Sequence, residues 1–211
     1  MMISSNDLLI GYDYDAWYGY GEKVPIYVDA TKHNSHTLIC GISGSGKSYL
    51  TNQYLARIFL HGGEKSLLYL ADFKAEDSFF HLRKCPRYYP YDKTLEAIEE
   101  VYEIMHKVSE ILMLGRSLAV RLVIACQRPD ASCFPTGSRL NFGIIIIVGA
   151  VLESIYSMLM PKELIEKVGD RQFHTGEGVM LWQGSELRFI KIPVIRNEER
   201  MKSICVEALT R

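Results

Sequence analysis

The 211-residue sequence has almost no net charge, with 24 Lys and Arg against 25 Asp and Glu. It lacks the basic surplus that would by itself announce a nucleic-acid partner. Any DNA contact therefore needs a local basic surface, or an oligomer that concentrates one. Long apolar runs are missing too. The longest, Ile144 to Val151, falls far short of the about 18 residues needed to cross a bilayer. No signal-peptide pattern opens the chain, so the expected location is the cytoplasm. The cytoplasmic face of a membrane is then within reach only through partner proteins or further sequence. The five cysteines, Cys40, Cys85, Cys126, Cys133 and Cys205, are odd in number and form no CxxC pair. That argues against a disulfide framework or a cysteine metal site, and for buried reduced thiols. There is no internal repeat and no low-complexity linker. Apolar residues make up 48% of the chain, a globular composition with enough material for one sizeable core.

The stretch from His36 to Leu50 reads HTLICGISGSGKSYL. The apolar run Thr37 to Cys40 predicts a short buried strand, and Tyr49 to Leu60 a helix. Between them, Gly41-Ile42-Ser43-Gly44-Ser45-Gly46-Lys47-Ser48 fits G-x-x-x-x-G-K-[ST] at every fixed position, in the strand–loop–helix setting this motif requires. Glycines at 41, 44 and 46 allow positive φ and close backbone approach. The loop's N–H groups and the start of the helix then make an anion site. Lys47 supplies a cation for β and γ phosphates, and Ser48 a hydroxyl for Mg²⁺. The stretch from Gly41 through Tyr49 is thus the expected binding segment for a nucleotide.

Other elements follow in chain order. Residues 1–23, rich in Tyr, Asp and Gly, have no clear period and read as an aromatic surface arm or edge segment. Residues 24–29 read as a strand, and Ser66 to Asp72 as a strand covered on both faces. Residues 83–92 read as an edge strand or loop. Leu95, Ile98, Val101, Met105 and Val108 give helical spacing over Thr94 to Leu118. Arg121 to Gln127 and Asn141 to Gly149 read as buried strands. Glu153 to Val168 reads as helix interrupted at Pro161, Gly178 to Ile192 as a hairpin, and Asn197 to Leu209 as a helix capped by Asn197. Alternating strands and helices predict an α/β fold with a mostly parallel, doubly wound sheet, closed by a C-terminal hairpin and helix. Ligands in such sheets bind at the carboxyl ends of the strands, which would put Gly41–Ser48, Asp72 and Gln127 on one edge.

Three stretches together resemble the FtsK/SpoIIIE family of DNA-translocating ATPases, in particular the FtsK-like coupling proteins of conjugative elements in Gram-positive bacteria. They are HTLICGISGSGKS, LLYLADFK, and the segment GRSLAVRLVIACQRPDAS with its following loop, FPTGSRLNFG. The closing GEGVMLWQGSELRFIKIPVI is similar to the family's final hairpin. The resemblance covers residues 24 to 211 and implies a RecA-like P-loop NTPase domain. It also implies a homo-oligomeric ring, usually a hexamer, with DNA as partner and ATP with Mg²⁺ as cofactors. By position, Lys47 and Ser48 would hold phosphate and metal, and Gln127 would sense the γ phosphate. Arg116 or Arg128 would reach a neighbour's nucleotide as an arginine finger.

The sequence departs from the family at one place. Family members carry a further apolar strand ending in Asp-Glu, which orients Mg²⁺ and activates water. Here Val101 to Lys107 runs straight into Val108 to Gly115 with no such run. Leu67 to Asp72 fits the bare pattern, which makes Asp72 a candidate metal-associated carboxylate, although the family comparison assigns that strand elsewhere. Glu76, Asp77 and Glu110 are weaker candidates for a base. Three functions remain open: a DNA-translocating motor, a protein-export ATPase of the type VII secretion kind, and an ATP-binding assembly module that has lost hydrolysis.

Overall fold

A computed structural model describes residues 7–29, 36–62, 67–100, 103, 122–129 and 142–211. In chain order the first elements are β1 (Asp7–Asp13), α1 (Tyr14–Tyr20), β2 (Pro25–Asp29), β3 (Thr37–Cys40), α2 (Lys47–Gly62), β4 (Leu70–Asp72) and β5 (Tyr88–Pro90). A helical stretch at residues 94–100 (α3) follows. Then come β6 (Val123–Cys126), β7 (Ile144–Val148), α4 (Glu153–Leu159), α5 (Lys162–Val168), β8 (Glu177–Trp182), β9 (Glu186–Lys191) and α6 (Glu198–Thr210). The chain divides into two compact units, Met1–Thr51 with Arg121–Val194 and Asn52–Val120 with Ile195–Arg211.

The first unit is built on a seven-stranded sheet in the order β2-β1-β9-β8-β7-β3-β6. All four residues of β3 and all five of β7 are buried, as expected of strands covered on both faces. β3 runs parallel to both neighbours, with Thr37 opposite Val123 on one side and Ile144 on the other. Beyond β7 every pairing is antiparallel. Among the described residues the sheet is therefore mixed, and its parallel part is three strands rather than most of the sheet. A two-stranded hairpin can only pair antiparallel, and the β8–β9 hairpin extends the β7 edge instead of standing apart. Its turn has positive φ at Gln183 and Gly184, as the Gln183-to-Glu186 turn required.

Residues 7–20 are not a surface arm. β1 lies between β2 and β9, with Leu8 and Ile10 buried. Its register shifts between Leu9 and Gly11, which breaks the period of two that would have marked it as a strand. Gly11 is required there, since a Cβ would meet the Lys191 carbonyl oxygen at 2.8 Å. Asp13 caps α1 by accepting from the Ala16 N–H at 2.8 Å. On one face of the sheet, Leu38, Cys40, Ile145 and Ile147 pack with Ile155, Leu159 and Leu164 of α4 and α5. The predicted interruption at Pro161 separates those two helices, and the Pro161 carbonyl accepts from Leu164 N–H at 3.1 Å to start α5.

In the second unit β4 and β5 form a parallel two-stranded sheet. This corrects the reading of Ser66 to Asp72 as a doubly covered strand. Only Leu70–Asp72 pair, and Ala71 is exposed. The strand that ends at Asp72 is therefore not part of the sheet that carries β3. Arg87 ties this unit together by donating to the carbonyls of Leu68 at 2.9 Å and Ala208 at 3.1 Å. Asn197 caps α6 as predicted, accepting from Arg200 N–H at 2.9 Å.

Candidate nucleotide site

The phosphate-loop segment leaves β3 at Gly41 and enters α2 at Lys47. Gly41, Gly44 and Gly46 have φ of 155°, 77° and 99°, values that disfavour any side chain. At Gly41 space forbids one as well, because a Cβ would meet the Val148 carbonyl oxygen at 2.3 Å. Ile42, Ser43 and Gly44 face solvent, while Ser45 and Lys47 are buried. Lys47 Nζ donates to the Ile42 carbonyl at 2.8 Å, so its cation lies inside the curve of the loop. Ser45 Oγ is buried without a hydrogen-bond partner. A cationic, backbone-lined concavity at the start of a 16-residue helix fits a polyphosphate. Ser48 and Tyr49 are half-buried in the helix's first turn.

Around the loop stands a brace that the motif did not reveal. Thr175 Oγ1 donates to the Gly44 carbonyl at 3.1 Å, and Gly176 N–H to the Ser45 carbonyl at 3.0 Å. Gly149, with φ of 75°, lies so close that a Cβ would meet Ser45 Cβ at 2.7 Å. Gly149 N–H in turn donates to the Glu177 carbonyl at 2.7 Å. The only sequence signal was the closing Gly-Glu-Gly at 176–178, which marked a hairpin start but not its contact with residues 44 and 45.

Glu177 is 2% exposed. Its carboxylate accepts from Lys191 Nζ at 2.8 Å, from the His174 N–H at 2.9 Å and from the Tyr18 hydroxyl. Burial pushes its pKa up, but those donors outweigh burial and hold it below the ordinary value of 4.5. Lys191 is raised, because the bonds to Glu177 and Tyr18 outweigh its own burial. Beneath the loop, the Cys126 thiol at 3.5 Å and burial both push the Cys40 thiol up, so it stays neutral.

Cys126 is paired with Cys40, so Gln127 leaves β6 at the same level at which Gly41 leaves β3. Gln127 and Arg128 are exposed and Pro129 is buried. Gln127 and the phosphate loop thus share one end of the parallel strands. Arg116, Glu110 and the Lys107–Val108 join fall outside the described residues. Asp72 is buried, and its Oδ2 accepts from the Tyr88 hydroxyl at 2.7 Å and the Glu76 N–H at 2.9 Å. Burial first, and then the Asp72 bond, push the Tyr88 pKa up to about 12. Glu76 is half-buried and Asp77 exposed. Among the described residues no group of three or more His, Cys, Asp or Glu is placed to hold a metal ion, and no helix is long and apolar enough to cross a membrane.

The model of the FtsK/SpoIIIE family matches residues 19–121. The FtsK domain-containing protein YdcQ of Bacillus subtilis strain 168 is 26% identical over 141 residues, covering 64% of this chain and 29% of YdcQ. The chain therefore spans less than a third of that relative. The cytoplasmic domain of the type VII secretion ATPase EccC from Thermomonospora curvata is similar in structure, with a TM-score of 0.65 and 15% identity over 98% of this chain and 31% of that one. The pCW3 conjugation coupling protein TcpA, solved as a monomer with ATPγS, has a TM-score of 0.59 and 15% identity over 96% of this chain and 70% of TcpA. The fold is the α/β, RecA-like fold of P-loop ATPases, and over residues 19–121 the chain is similar to the FtsK/SpoIIIE family.

Proposed function

We propose that this chain is the ATP-binding motor domain of a DNA translocase of the conjugative or segregational kind, acting as a homo-oligomeric ring. The observation that carries this reading is the braced phosphate loop beside Gln127-Arg128-Pro129, at one end of the parallel strands of a chain similar to the FtsK/SpoIIIE family. ATP with Mg²⁺ supplies the phosphoanhydride whose cleavage drives movement. The backbone N–H groups of Gly41 to Ser48 and the Lys47 ammonium would hold its β and γ phosphates, with Tyr49 in the first helical turn. Ser48 would offer its hydroxyl to the metal. Gln127 would sense the γ phosphate, and Arg128 or Arg116 would act on a neighbouring subunit's nucleotide. Asp72, whose carboxylate oxygen already serves Tyr88 and Glu76, fits a role in holding its own unit together better than a role at the metal.

A second reading, protein export, has a specific support in the likeness to EccC over 98% of this chain. Measuring Mg-ATP hydrolysis with and without DNA separates the two. Stimulation by single- or double-stranded DNA, weakening as salt rises, is expected. Absence of stimulation by either form contradicts the DNA reading, and stimulation by a peptide cargo instead supports export. Turnover indistinguishable from that of a Lys47→Ala control would mean that the chain binds nucleotide without hydrolysing it.

A further inference from the structure

We propose that Glu177 is a positioning residue for the phosphate loop, acting through the His174–Gly176 turn, and that Lys191 and Tyr18 hold it in place. The inference rests on the nucleotide reading of Gly41–Ser48. Glu177 Oε2 accepts from the His174 N–H at 2.9 Å, which closes the turn 174–177 together with the bond from Glu177 N–H to the His174 carbonyl at 3.0 Å. The turn presents two donors to consecutive loop carbonyls, Thr175 Oγ1 to Gly44 and the Gly176 N–H to Ser45. Satisfying these carbonyls from behind fixes the peptide planes of residues 44 to 46. An N–H of the same peptide plane points opposite to its carbonyl, so holding the Gly44 carbonyl aims the Ser45 N–H at the Ile42 carbonyl, 3.3 Å away within the loop, and holding the Ser45 carbonyl turns the Gly46 N–H to the side away from the turn.

The rest of the network explains why an acid occupies a site that is 2% exposed. Oε1 takes the Lys191 ammonium at 2.8 Å and the Tyr18 hydroxyl, which compensates the buried charge. Lys191 lies on β9 and Tyr18 on α1, so the segment first read as an arm contributes to the brace. The Glu177 main chain adds one more tie, accepting from Gly149 N–H, and Gly149 is the residue that packs against Ser45.

A merely structural ion pair and a turn-positioning acid predict different mutant behaviour. In Glu177→Gln with Lys191→Met, the buried charges go together, and the amide oxygen can still accept from the His174 N–H. In Glu177→Ala with Lys191→Met, the charges also go, but the acceptor is lost. Both are to be titrated with Mg-ATPγS in the full chain, at a temperature where melting curves show each folded. The alanine pair should bind at least about tenfold more weakly than wild type, the cost of an unmet buried donor beside the loop. The glutamine pair should recover most of that loss. Equal affinity of the two folded pairs would overturn the proposal. An alanine pair that does not fold leaves the glutamine pair against the single Glu177→Gln variant, in which Lys191 faces an amide donor. Recovery of affinity on adding Lys191→Met is then expected, and no recovery overturns the proposal. Failure of wild type to bind ATPγS at all would instead overturn the nucleotide reading, and this inference with it.

Discussion

Two apolar runs in this chain end at a residue that a nucleotide site could use, and the structure treats them differently. Thr37 to Cys40 is an interior strand with a parallel neighbour on each side and all four residues buried. The chain that leaves it forms an open loop with its cation inside and its outer residues in solvent. Among the described residues the run ending at Asp72 pairs on one side only, over three residues, and the turn that leaves it closes back on the carboxylate through the Glu76 N–H. Tyr88 on the paired strand then takes the same oxygen. Apolar content does not separate the two runs. The next few residues do: glycines that keep a backbone open in one case, and donors that satisfy an acid locally in the other.

Removing Lys47 should give the largest effect. Lys47→Ala takes away the one buried cation of the loop and should weaken Mg-ATPγS binding by at least about tenfold, as expected for a charge-assisted bond. Calorimetric titration measures this directly. Gly149→Ala comes next, because it forces a Cβ to 2.7 Å from Ser45 Cβ at a φ of 75°. It should destabilise the first unit by about 1–3 kcal/mol in thermal or denaturant unfolding and weaken nucleotide binding in parallel. A stability loss with no change in binding would mean that the brace does not support the loop.

Tyr88→Phe sharpens the comparison from the other side. It strips a donor from buried Asp72 and should cost about 1–3 kcal/mol in unfolding measurements while leaving ATPγS affinity unchanged. The smallest effect should be a pH effect from Glu177. Its folded pKa lies below 4.5, so the stability it contributes is fully present above that value and is lost as pH falls through the folded pKa. Melting temperatures measured down through that range should fall more steeply for wild type than for the Glu177→Gln and Lys191→Met pair.

Much of this was legible in the sequence because it depends on local spelling. The phosphate loop carries its own geometry in Gly41, Gly44 and Gly46. β3 and β7 are unbroken apolar runs, and Pro161 and Asn197 mark helix boundaries through one missing N–H and one capping oxygen. What was not legible depends on partners distant in sequence. β1 was hidden because a bulge at Gly11 breaks its alternation, and its place was set by β9, far along the chain. The brace joins residues 44 and 45 to residues 149 and 174–177, and nothing in the spelling of Thr175 announces a bond to Gly44. Asp72 was misplaced because a run of apolar residues ending in Asp is the same string whether the strand is central or one of a separate pair.

The contrast between the two runs can be tested in one titration series: Mg-ATPγS against wild type, Lys47→Ala and Asp72→Asn, each at several Mg²⁺ concentrations. Lys47→Ala should lose affinity by at least about tenfold. Asp72→Asn, if folded, should keep the wild-type affinity and the wild-type dependence on Mg²⁺. Loss of affinity in folded Asp72→Asn matching that of Lys47→Ala, with an altered Mg²⁺ dependence, would contradict the account and return Asp72 to the metal.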